Sequence, residues 1–267
     1  MKFYQLNNYN YDTSKNMLVG EIVGGLGNQL FLMAVTYVTA IENNMNPIFK
    51  FTDKNRTWNQ LFKNNFRLCE YENNVKFIIY ECWPRKFMNL YIPKNVDVEL
   101  KGYFQTARYF DKYKSDILDI IKLTDEENEL VENYIKKLRE KFKNKKLIGV
   151  HIRRTDFVKL NWCLPITYYR NAIQSFEKKK YEFIFFSDDT QWCLQNFTEI
   201  NICDDKFNDY IEMYILSKMD GYIMSNSTFN WWSVYIGKQE LENKEIIIPN
   251  DYKYEQHPDI WCKIIDN

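Results

Sequence analysis

The sequence predicts an α/β fold built from two Rossmann-like halves. Three features lead there. An apolar strand, a glycine turn and an apolar helix follow one another over residues 17–41. After a basic stretch at 141–146 the alternation of strands and helices resumes more clearly. In both halves, loops rich in Gly, Arg, Ser and Thr come directly after strands, and in open parallel sheets such loops gather at the carboxyl edge. Two such halves would face each other across one ligand cleft. Gly24 to Gln29 would line one wall, with Arg153, Arg154, Ser227 and Thr228 on the other. The basic link sets the division: 1–144, 145–250, and a tail at 251–267 packing back on the first half.

At 267 residues the chain can hold one large domain or two modest ones. Lys plus Arg and Asp plus Glu number 36 each, so no net field favours nucleic acid or an anionic membrane, although a local basic pocket stays open. Aromatic residues make up 17%, enough to fill cores and to offer rings that stack on sugar faces. The cysteines at 69, 82, 163, 193, 203 and 262 form no Cys-x-x-Cys pair and suggest neither a disulfide framework nor a zinc finger. The only histidines are His151 and His257, so no histidine-rich metal centre is expected, and a His-dependent triad would have to use one of them. The polar start of the chain has no apolar signal core, and no apolar run is long enough to span a bilayer. A soluble, cytoplasmic protein is expected, with no membrane insertion and no nucleic-acid partner.

In the first half, 17–23 reads as a core strand and 30–41 as a buried helix, joined by Gly24-Gly-Leu-Gly-Asn-Gln29. Glycines here let backbone N–H groups approach an anion at the helix start, and a tight turn without a ligand would use them equally well. The loop is not a Walker A sequence, since the Lys-Ser/Thr pair is missing, and Leu30 stands where a dinucleotide fingerprint has its third Gly. Residues 47–51 and 76–80 are further strand candidates. Gly102-Tyr-Phe-Gln105 reads as a turn with aromatic anchors. Helices are expected at 111–121 and 124–142, the second opening on the capping box Thr124-Asp-Glu-Glu.

The second half centres on Lys146 to Asp156. An apolar strand ends in His151, Arg153, Arg154 and Asp156, with His151 and Arg153 on one face and Arg154 on the other. Adjacent guanidiniums at the end of a buried strand need an anion, and a diphosphate suits their planar fork. A salt bridge, Arg154 with Asp156 or another acid, is the alternative. A helix at 168–176 and a strand at 181–186 follow. Asp188 and Asp189 lack the spaced Asp-x-Asp of a metal site, so capping or ribose contact is favoured over metal binding. In the helix expected at 205–219, Asp209 either stabilises the helix dipole or accepts two N–H bonds from a guanine edge. A short strand at 222–224 leads into Ser225-Asn-Ser-Thr-Phe-Asn-Trp-Trp232, whose hydroxyls are caps or a phosphate cradle at a helix start. Residues 246–249 read as a last strand.

Four motifs, Gly24 to Gln29, Gly102 to Gln105, His151 to Asp156 and Ser225 to Trp232, resemble those of the α-1,2-fucosyltransferases. They occur in that family's order and at similar spacing, over about residues 17–250. The resemblance implies a GT-B-like architecture, GDP-fucose as donor, an oligosaccharide acceptor on the side of the first half, inversion at the anomeric carbon, and no metal or other cofactor. It implies that Arg153 binds the pyrophosphate with Arg154 supporting it, and that His151 helps hold the nucleotide. Asp209 would read guanine, and Ser227 and Thr228 would bind phosphate. Gly25, Gly27 and Asn28 would line the transfer cleft. Asn230 departs from the family, where Ser is commoner, and 45–100 carries no matching motif, leaving acceptor choice open.

The expected reaction is a single displacement at C1 of β-linked GDP-fucose, giving an α-fucoside, with O2 of a galactoside as acceptor. Asp156 is the nearest base for the acceptor proton, or else a loop cap or an arginine partner. Two rivals stand beside this reading: a transferase of another deoxyhexose such as rhamnose, and a non-catalytic carbohydrate-binding relative.

Overall fold

The structure, a computed structural model, describes residues 2–51, 64–82, 86–177, 179–203, 206–237, 245–250 and 263–265. The chain divides into two compact units at Thr124/Asp125.

The first unit is built on a six-stranded sheet. Its strands are β1 (Lys2–Leu6), β2 (Met17–Ile22), β3 (Asn46–Phe51), β4 (Phe66–Cys69), β5 (Phe77–Tyr80) and β6 (Val98–Lys101), in the order β4-β1-β3-β2-β6-β5. β3, β2, β6 and β5 run parallel, and β1 is antiparallel to both its neighbours. Helix α1 (Leu26–Glu42) crosses from β2 to β3. It is apolar nearly all round because it is covered nearly all round: Leu30 to Val35 are fully buried. The absence of a side chain at Gly20 lets α1 sit against β2, since a Cβ there would lie 2.0 Å from Thr36 Oγ1.

Charged residues are also buried in this sheet. Lys50 is ion-paired with Glu99 and lies 3.8 Å from Glu21. The helix expected at 111–121 begins as two 3-10 turns, Ala107–Tyr109 and Asp111–Tyr113, before α2 (Lys114–Ile120).

The second unit opens with α3 (Asp125–Lys141), whose buried stripe is Val131, Ile135 and Leu138. Its acidic first turn and basic last turn complement the helix dipole. The division therefore falls one helix before the basic link at 144/145. The physical reason is that α3 belongs to the second core: Arg139 Nη2 donates to Asp220 at 2.8 Å, Lys218 pairs with Glu132 at 2.7 Å, and Tyr134 meets Phe207 edge-on.

The second sheet comprises β7 (Lys146–Ile152), β8 (Tyr181–Ser187), β9 (Asn201–Ile202), β10 (Gly221–Ile223), β11 (Glu245–Pro249) and β12 (Lys263–Ile265), all parallel, in the order β12-β11-β10-β7-β8-β9. Between the strands lie α4 (Thr155–Leu160), α5 (Ile166–Gln174), α6 (Thr190–Asn196), α7 (Asp209–Ser217) and α8 (Thr228–Ile236). This is the doubly wound order, grown outward in both directions from the central pair β7 and β10. The core under β7 and β8 contains Ile148, Val150, Tyr168, Tyr169 and Phe185. Of the tail expected to pack on the first half, only Lys263–Ile265 is among the described residues, and it pairs with β11 of the second sheet.

Candidate active site

In the second unit the chain leaves β7 toward β8 and leaves β10 toward β11, so the connections diverge from the central pair. Such a switch point opens a crevice at the carboxyl ends of the strands. Two of the sequence motifs emerge there: His151 to Asp156 after β7, and Ser225 to Trp232 after β10.

His151 is buried, 6% exposed, with its ring stacked on Phe229 at 5.2 Å and 20° between planes. Its Nδ1 is 2.8 Å from Ser225 Oγ. Ser225 Oγ in turn donates to Asn230 Oδ1 at 3.0 Å, and Asn230 Nδ2 donates to the Ser225 carbonyl at 3.3 Å. Burial, assisted by the Arg153 charge, pushes the imidazole down to about 3, so it is neutral at physiological pH.

Arg153 donates from Nε to Asp156 Oδ1 at 2.9 Å; Nη2 reaches the same oxygen at 2.9 Å and Nη1 reaches Asp188 Oδ2 at 3.1 Å. Arg154 is held differently. Its backbone N–H donates to Asp188 Oδ1 at 2.8 Å and its Nε to Asp189 Oδ2 at 3.1 Å, while its guanidinium lies 4.0 Å from the centre of the Trp192 ring. The ion pairs thus join Arg153 to Asp156 and Arg154 to Asp189, and Asp156 is not the partner of Arg154. Thr155 adds its hydroxyl to Asp188. Asp189 also caps α6, accepting from the Trp192 N–H at 3.1 Å.

Ser227 caps α8, its hydroxyl accepting from the Phe229 N–H at 3.3 Å, and Thr228 is the first helical residue. Hydroxyls, first-turn N–H groups and the positive end of a nine-residue helix therefore lie beside the arginine loop. Together these groups can hold a diphosphate and stabilise the charge it gains on leaving.

Asp209 is the exposed first residue of α7. A carboxyl missed in the sequence lies one turn on. Glu212 is raised to about 7 by burial and by the charges of Asp209 and Asp188. A lone acid in the otherwise apolar run Tyr210-Ile-Glu-Met-Tyr-Ile-Leu216 was the available signal. Among the described residues no cluster of His, Cys, Asp and Glu has the makings of a metal site.

The first unit carries its own motif cluster. Gly24 has φ +82, Gly25 is the N-cap of α1 and Gly27 lies in its first turn. Asn28 folds over Gly24, where a Cβ would stand 2.7 Å from Asn28 Nδ2. Gln105 Nε2 donates to Asn28 Oδ1 at 2.8 Å, joining two motifs 77 residues apart. Gln29 Nε2 donates to the Gly24 carbonyl at 2.8 Å, and its buried Oε1 has no partner among the described residues. The turn at 102–105 is secured by Glu81, which accepts the N–H groups of Tyr103 and Phe104 at 2.8 and 2.9 Å.

A family profile described as "Glycosyl transferase family 11" matches residues 5–260. The chain is similar to an alpha-1,2-colitosyltransferase of Escherichia coli, 25% identical over 264 residues, covering 85% of this chain and 89% of that one. It is similar also to the O-antigen biosynthesis glycosyltransferase WbnK of Escherichia coli, 25% identical over 285 residues, with 86% and 92% covered. Among solved structures it resembles the fucosyltransferase NodZ from Bradyrhizobium, with a TM-score of 0.52 at 14% identity over 83% of this chain and 93% of that one. A glycosyl transferase family 9 protein from Veillonella parvula gives a TM-score of 0.52 at 11% identity over 95% and 86%. The GT-B-like α/β class expected from the sequence is the one shared with these structures.

Proposed function

Glycosyl transferase family 11 is the family to which this chain belongs, and from that premise we propose that it transfers L-fucose from GDP-fucose to O2 of a galactoside in a glycan acceptor, with inversion and without a metal. The observation that carries the reading is the pairing, at one switch point, of an arginine loop with a hydroxyl-capped helix start. A departing nucleoside diphosphate needs fixed positive groups, and these supply them without a cation. Asp188 and Asp189, the two carboxylates best suited to a metal, are engaged by Arg153, Arg154 and the α6 cap.

The acceptor oxygen attacks C1 as the C1–O bond to the β-phosphate breaks, and GDP leaves against Arg153 and the first turn of α8. Asp156 takes the acceptor proton on Oδ2, since its Oδ1 already serves Arg153. Arg154, stacked on Trp192, supports the loop. Gly25, Gly27 and Asn28, in the first unit, are proposed to contact the donor sugar. For the guanine edge Glu212 is a stronger candidate than exposed Asp209, because a half-buried carboxyl gains more from two N–H donors than an exposed one. The colitosyltransferase relative favours a second reading, in which the same scaffold moves a different deoxyhexose.

The test is turnover of a panel of GDP-sugars with galactose-terminated oligosaccharides, followed by linkage analysis of the product in the presence and absence of a chelator. An α-1,2-fucoside formed with chelator supports the proposal. A chelator-sensitive activity restored by manganese, or a preference for another sugar, overturns the corresponding part.

A further inference from the structure

Behind the arginine loop, the hydrogen-bond network assigns the tautomer of His151. Asn230 Nδ2 donates to the Ser225 carbonyl at 3.3 Å, which fixes the amide so that Oδ1 is the atom facing Ser225 Oγ at 3.0 Å. An amide oxygen only accepts, so the single hydroxyl proton of Ser225 lies between the two. The same Oγ is 2.8 Å from His151 Nδ1, and with its proton directed to Asn230 it can only accept there. The proton on that contact therefore belongs to His151 Nδ1.

We propose that Asn230 and Ser225 are positioning residues that hold His151 as the Nδ1–H tautomer, leaving Nε2 as a lone-pair acceptor for an O–H or N–H group of the bound nucleoside. Nδ1 is the ring nitrogen that faces Ser225, and the Asn230 side chain also acts on the ring as a hydrogen-bond partner. A phosphate oxygen has no proton to offer such a nitrogen, so anion binding is left to Arg153 and the start of α8. Burial keeps the ring neutral, and stacking on Phe229 fixes its plane. Asn at 230 thus has a task of its own: its amide can both anchor on the backbone and take the serine proton. The identity of the ligand as a nucleotide rests on the proposed function, whereas the tautomer does not.

The chain has only two histidines, so full-length protein carrying His257→Gln and labelled with ¹⁵N in histidine shows a single imidazole. Should that variant fail to fold, wild type compared with His151→Gln gives the same assignment. The expected spectrum has a protonated Nδ1 and a bare Nε2. Ser225→Thr keeps this pattern, while Ser225→Ala shifts the ring to Nε2–H and raises the Kd for GDP about tenfold. Addition of GMP moves the Nε2 resonance in the direction of hydrogen-bond acceptance, and inorganic pyrophosphate does not. A shift with ribose 5-phosphate assigns the donor as a sugar hydroxyl, and a shift with GMP alone assigns it to the base. An Nε2–H ring in the parent protein, or a response to pyrophosphate alone, overturns the inference. GDP bound to a protein with an Nε2–H ring sinks the tautomer and leaves the function standing; an Nδ1–H ring in a protein that binds no guanine nucleotide does the reverse.

Discussion

Arg153 and Asp188 meet across the parallel strands β7 and β8, with Nη1 3.1 Å from Oδ2. Asp188 also takes the Arg154 N–H and the Thr155 hydroxyl, so one carboxylate sets the course of the loop after β7. The pair is partly open to solvent and adds little to stability. Its effect is on direction. Asp188→Asn is expected to lower kcat/KM by about 100-fold through misplacement of Arg153, with little change in melting temperature. Steady-state kinetics beside a thermal melt would check both halves of this statement.

Replacing the arginine itself acts on the charge of the leaving group. Arg153→Ala is expected to reduce kcat by roughly 10²–10³-fold, and Arg153→Lys to recover only part, because an ammonium cannot reproduce the planar fork. Near wild-type turnover in the alanine variant would remove Arg153 from the reaction.

Glu212 makes stability depend on pH in a defined window. Its carboxyl moves from an ordinary value of 4.5 to about 7 in the folded chain. Between those values the folded protein holds a proton that the unfolded chain has lost. The contribution is therefore complete below 4.5 and disappears as pH rises through 7. Glu212→Gln should flatten this part of the profile and be more stable than wild type at about pH 8, as read from urea midpoints at several pH values. If the carboxylate reads guanine, GDP affinity in the wild type rises across the same window and is insensitive to pH in the variant.

His151 has the opposite slope. Its value falls from 6.5 to about 3 on folding, so the stability linked to the neutral ring is complete above 6.5 and is lost as pH drops toward 3. His151→Gln is expected to reduce the acid sensitivity of the fold, measured by the same denaturation series.

In the first unit the buried Lys50–Glu99 pair supplies a test of stability without chemistry. Lys50→Met leaves a carboxylate stranded in the sheet and should cost about 3–5 kcal/mol, most of it recovered in the double variant Lys50→Met/Glu99→Leu. Chemical denaturation of the three variants decides the point.

Much of the second unit was legible from the chain. The run Leu147 to Val150 is apolar and short, and the charges after it mark where the strand stops. The first sheet was harder. β1, β4 and β6 went unread because two lie toward an edge with polar or exposed residues, and β6 is only four residues long. The arginines, Ser227 and Thr228 stood out by residue type, and the structure places them just after β7 and β10. Ser225 was not told apart from Ser227, because which hydroxyl turns inward depends on the backbone path after β10. Glu212 escaped for a similar reason: helical period placed it beside an apolar face without showing that a second acid, Asp188, stood opposite.

His151 and Ser225 lie 74 residues apart in the chain yet share a hydrogen bond. Their strands are neighbours only once the sheet has reversed its direction of growth, so the bond forms only after a long loop has closed. The proposed anion pocket is thus absent from any fragment that stops short of β10. Nucleotide-dependent protection from proteolysis would accordingly mark completed molecules and leave partly synthesised ones undefended.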